Sequence, residues 1–197
     1  MALIHLQLSD ISSNWLENMN AADAAKLTIL YHAGLVDDSA RTYPELVATF
    51  RPFTGLYEES FAELIFAIYT ISSDMIRESS IDQKFVFSLW WICDRARVLV
   101  LDPDSALQRS KRIDIQSLNR VKWWVDVVES FSLRALQGLD RPMCMSRLMQ
   151  YFVAVPPKDV SVYKFVVSLV QESLMYDDAD IAEEARQASV ILQFESE

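Results

Sequence analysis

The stretch at residues 81–101, IDQKFVFSLWWICDRARVLVL, decides the fold class. Its apolar residues Phe85, Leu89, Ile92, Ala96 and Leu99 advance by threes and fours, which places them on one face of an α-helix. Phe87, Trp90 and Trp91 widen that stripe, so the helix is expected at the centre of a bundle. Ser80 and Gln83 form a capping box in front of it, and Asp102-Pro103-Asp104 ends it.

Outward from this helix the same grammar repeats. Upstream, residues 56–78 carry Phe61, Leu64, Ile65, Ile68, Ile71 and Met75 at helical spacing. Before that, Thr42 and Glu45 make a capping box for a short helix ending near Arg51-Pro52. Asn20 caps a helix over 21–33, and Gly34 follows where a C′ glycine belongs. Downstream, residues 114–137 place Leu118, Val121, Val125, Val128 and Ala135 on one stripe, flanked by Trp124 and Phe131 and closed by Gly138. Pro142 opens a helix that Pro156-Pro157 stops. The segment 159–176 reads as helix, although Val160, Val162, Val166, Val167 and Val170 also suit a strand. Asp180 with Glu183 caps a terminal helix to about Gln193.

Composition agrees. The chain has 197 residues, 51% hydrophobic and 23% charged, and only 3 glycines, so the tight turns that sheets and phosphate loops require are scarce. No internal repeat and no Gly/Ser/Pro-rich linker appears. The expected fold is all-α: a compact bundle of about 8–10 helices, one domain over residues 1–197. The longest uncharged apolar run, 64–73, is half of a membrane span, and residues 1–10 lack the basic start of a secretory signal. Cys93 and Cys144 lie in apolar helical runs and read as buried, reduced thiols. The expected location is cytoplasmic.

Catalytic equipment is sparse. Three glycines write no phosphate-cradling loop. His5 and His32 have no HExxH context, and His32 reads as a structural histidine near a helix C-terminus. The acidic run Asp177, Asp178, Asp180, Glu183 and Glu184 has no second carboxylate cluster to share a cation with, and reads as a solvated turn. No cofactor or metal is expected, and the chain is expected not to be an enzyme. The pairs Trp90-Trp91 and Trp123-Trp124 cannot share one narrow stripe, because neighbours on a helix diverge by about 100°. One ring of each pair is expected in the core and the other at its boundary, where it can anchor a partner.

Charge is uneven. Residues 1–80 hold 4 basic against 11 acidic side chains, and residues 171–197 hold 1 against 8, while the whole chain carries −10. Between them, residues 95–122 hold 7 basic against 3 acidic side chains. The functional reading is therefore a protein–protein interaction protein (an adaptor, a subunit of a larger complex, or an immunity- or antitoxin-type inhibitor). It would dock another protein through Arg109, Lys111, Arg112, Arg120 and Lys122, or hold a basic partner on its acidic flanks. Nucleic-acid binding is expected only by local contact. A small-ligand bundle with an apolar cavity, or an enzyme whose site is not visible in sequence, are the alternatives. Reversing Arg109, Lys111 and Arg112 to Glu is expected to slow partner association several-fold in stopped-flow measurements, with the melting temperature nearly unchanged.

Overall fold

Periodicity and caps build eight α-helical segments in the computed structural model, which describes residues 21–38, 40–77, 82–137, 139, 141–154, 160–175 and 179–191. In chain order they are α1 (Ala21–His32), α2 (Glu58–Arg77), α3 (Gln83–Ala96), α4 (Ala106–Arg109), α5 (Ile115–Leu136), α6 (Arg141–Ala154), α7 (Val160–Leu174) and α8 (Ala179–Ile191). No strand occurs among the described residues; Phe50 and Phe53 form a single isolated bridge. The Val-rich α7 is helical because Val166, Leu169 and Val170 need one buried face, and that gain outweighs β-propensity.

Local chemistry sets the helix ends. Gly34 takes φ +70° just past α1, the left-handed conformation that a C′ residue adopts. Asp82, whose side chain accepts from the Lys84 N–H at 2.9 Å, caps α3; the Ser80 of the expected capping box lies outside the described residues. Asp114 caps α5 through the Ser117 N–H at 2.8 Å. Past Ala96, α3 continues as a π-helical turn over Arg97–Leu101, closed by the Asp102 N–H on the Arg97 carbonyl. Asp180 lies within the first turn of α8, and Glu183 accepts from Arg186 and Gln187. Gly138, Pro156 and Pro157, read as helix stops, lie outside the described residues, as do Asn20, His5, Asp177 and Asp178.

The helix expected after Thr42 is instead a series of turns running into a cis Arg51–Pro52 bond. Tertiary partners take the backbone groups that a helix would use. The Tyr31 hydroxyl donates to the Tyr43 carbonyl at 2.7 Å, and the Ser60 hydroxyl to that of Pro44 at 2.9 Å. The Val47 N–H donates to the His32 carbonyl at 3.2 Å.

One core joins the helices. α1 lies along α2, α5 along α6, and α8 against both α6 and α7, while α3 packs on α5 and α1. Leu89, Ile92, Val125, Val128 and Phe66 are buried, as the stripes require. Trp124 is the central plate. It stacks on Phe61 of α2 with centroids 4.7 Å apart, and its Nε1–H donates to the Tyr151 hydroxyl of α6 at 2.9 Å. Leu89→Ala or Ile92→Ala is expected to cost about 2–5 kcal/mol in urea unfolding, because each leaves a cavity under α3.

Candidate protein-docking surface

The basic turn that sequence singles out is built on α4. Ser105 caps the short α4, and the Gln108 amide donates to the Val100 and Leu101 carbonyls at 2.9 Å each, fastening α4 to the end of the α3 π turn. α4 ends in a Schellman arrangement: the Lys111 N–H bonds to Gln108 and the Arg112 N–H to Leu107. Lys111 occupies the left-handed position at φ 53°, where glycine is usual. Arg109, Lys111 and Arg112 are all exposed on this turn, and Lys122 is exposed on α5. Arg120 differs: it is half-buried and bonded to Glu58 of α2 at 2.6 Å, so it ties α5 to α2. The turn thus holds three of the five residues, and Arg120 has a structural partner.

A second polar group lies deep inside. His32 ends α1 with no solvent exposure, and its Nε2 sits 3.2 Å from Oε2 of the buried Glu63 on α2, an ion-pair distance without hydrogen-bond alignment. The Arg41 guanidinium bonds Glu63, Asp38 (3.2 Å) and the Thr28 hydroxyl (2.8 Å), and lies over the Tyr31 ring. Burial lowers the His32 pKa and Arg41 lowers it further, while Glu63 opposes both. The result is a neutral imidazole sealed from solvent, beside an arginine that neutralises Glu63. The histidine was legible in sequence but its partners were not. The available signal is Glu63 itself, a carboxylate inside the apolar run of α2.

The surface that sequence located only in part is a groove between α3 and α5. Val86, Leu89 and Cys93 line one side and Val127 the other, around a volume of about 900 Å³. A neighbouring hollow of about 490 Å³, walled by Phe87, Trp90 and Leu136, extends it. Its rim is apolar and open: Trp90 is 57% exposed, Leu133 59% and Trp123 37%, with Phe87 and Leu136 each nearly half exposed. Together these five side chains leave roughly 500 Å² of apolar surface facing water, near the top of the range for the largest patch on a monomer. Other exposed apolar residues, such as Leu35 and Ile115, lie outside this groove lining.

The helix geometry explains the patch. Trp124 is 3% exposed and Trp123, about 100° round the axis, is turned out. On α3, burial of Leu89, Ile92 and Cys93 turns Trp90 out, with Trp91 half-buried under the Arg95 guanidinium at 4.0 Å. Burial pushes the Cys93 thiol up to about 12, so at neutral pH it is a protonated, unreactive thiol at the groove floor. Four ionic side chains complete the lining. Glu129 is bonded to Arg97, Arg134 to the Met143 carbonyl and Ser146, and Arg147 to Gln150, while Asp126 is exposed and forms no ion pair among the described residues. No group of three or more potential metal ligands occurs among the described residues, and no helix there is long and apolar enough to cross a membrane.

Comparison of the chain with protein-family models, curated proteins and solved structures gives no match.

The buried cluster has a consequence in pH. The unfolded chain protonates His32 near its ordinary value of about 6.5, whereas the folded chain resists until lower pH. Stability is therefore expected to fall as pH drops from about 6.5 towards 5.5, by at most about 1.4 kcal/mol per pH unit. Urea titrations across that window should show the fall in the wild type and a flatter profile in His32→Gln.

Proposed function

We propose that this chain is a non-enzymatic protein-interaction protein that docks a helical protein surface in the α3–α5 groove. The observation that carries the reading is the contiguous rim of Trp90, Leu133, Trp123, Phe87 and Leu136. Water-exposed tryptophans and leucines around a groove between parallel ridges match the way amphipathic helices are held, by anchors at helical spacing. Two of the chain's reactive side chains support the same reading. His32 and Cys93 are spent inside the fold, one sealed and the other held protonated. The exposed cations at Arg109, Lys111 and Arg112 form a separate surface, suited to steering an acidic partner rather than to holding it.

A second reading is a small apolar ligand, favoured by the groove's volume of about 900 Å³, which lies within the usual range for ligand sites. Native mass spectrometry of protein purified from its host would show the added mass.

The interaction reading is tested by complementation. Trp90→Glu and Leu133→Glu each place a charge on an exposed rim position, so the melting temperature should hold within a few degrees. Neither variant should restore function to a deletion strain, whereas the control Ile115→Glu should. Full complementation by both groove variants would end the proposal.

A further inference from the structure

We propose that the occupant of the α3–α5 groove is a second copy of this chain, with the two α5 helices antiparallel and crossing at Ser130. The inference rests on the reading of the groove as a docking surface and adds the identity of the partner.

Charge complementarity points to the second copy. The chain as a whole carries −10, but the groove lining holds two acids, Asp126 and Glu129, and two bases, Arg134 and Arg147. A balanced lining selects neither a strongly basic nor a strongly acidic partner. Its order along α5 is also symmetric. Asp126 and Arg134 lie four residues to either side of Ser130, about 6 Å along the axis in each direction. A two-fold axis at Ser130 therefore brings each Asp126 opposite the Arg134 of the other copy. The contacts of Arg134 with Met143 and Ser146 are to neutral acceptors, so its positive charge is not cancelled there. Ser130, in the groove lining, is small enough at the crossing for the helices to approach.

The area is also adequate. A stable interface takes about 800 Å² from each partner, with an apolar centre and a polar rim. The roughly 500 Å² of open apolar surface supplies the centre, and the ionic lining supplies part of the rim. A closed two-fold pairing uses the groove on both copies and leaves the basic turn at 109–112 available on each.

Sedimentation equilibrium on the full chain is the test. The wild type is expected to dimerise with a Kd in the micromolar range. Asp126→Arg sets like charges against each other and should raise the Kd at least tenfold. Ser130→Cys should give a disulfide-linked dimer under mild oxidation, because a residue on the axis meets itself. Cys93 and Cys144 are buried and stay out of the reaction, and a control Gln116→Cys should form no disulfide-linked dimer. Wild type that stays monomeric to about 200 µM, far above the range where such an area associates, overturns the inference. So does a dimer that ignores Asp126→Arg and fails to cross-link through position 130. If the wild type is monomeric while Trp90→Glu still fails in complementation, the groove serves a different protein and only the self-pairing is lost. If the wild type dimerises as described while the groove variants complement fully, the interaction function fails and the dimer stands.

Discussion

Trp124 is the contact on which the arrangement of α2, α5 and α6 depends. Its ring lies flat on Phe61 and its indole N–H reaches the Tyr151 hydroxyl, so one side chain joins three helices in the core. A buried indole must satisfy its donor, and here the acceptor is itself buried, so neither group is left unpaired in a low-dielectric interior. Burial also pushes the Tyr151 hydroxyl up to about 12, which keeps it neutral at the end of that bond. The cost falls on the next residue. With position 124 committed inward, position 123 has to face outward, and α3 meets the same constraint at Trp90. The open apolar face is thus a geometric consequence of how the core is filled, and a free chain leaves it wetted.

The charged residues divide between the inside and the outside in a related way. Arg41 and Glu63 are nearly sealed, and their mutual bond, with Asp38 and Thr28 accepting further Arg41 donors, is what makes that burial tolerable. Removing one partner would strand the other, which is the expensive case for buried ions. This cluster fixes the loop after α1 against α2. By holding Tyr31 and His32 in place it also lets the Tyr43 carbonyl and the Val47 N–H bond back to α1, while the turns at 45–51 keep their own local bonds.

Most of the helical order was legible in sequence, because α2, α3 and α5 bury one face each and their apolar spacing reports it directly. Caps formed by local side chains were legible in kind, although Asp82 performs the role that the Ser80–Gln83 pattern assigned two residues earlier. The segment after Thr42 was not legible, since the Tyr31 hydroxyl and the His32 carbonyl that capture its backbone come from a different element. The site divides similarly. That one tryptophan of each pair would face outward follows from helix geometry alone. That Trp90, Trp123 and Leu133 would border one groove depends on how α3 lies against α5, and no spacing within either helix contains that. The basic residues share a charge sign in sequence, yet Arg120 is drawn away by Glu58 and leaves the turn at 109–112 to stand by itself.

The central claim is that the face left open by the burial of Trp124 is where two copies of this chain dock. Indole ¹⁵N–¹H spectra recorded over a concentration series test it at the rings concerned. The signals of Trp90 and Trp123 should shift or broaden as concentration rises through the micromolar range, while that of Trp124, tied to Tyr151 in the core, stays fixed. Indole signals that are all independent of concentration, or a Trp124 signal that moves with the others, would contradict it.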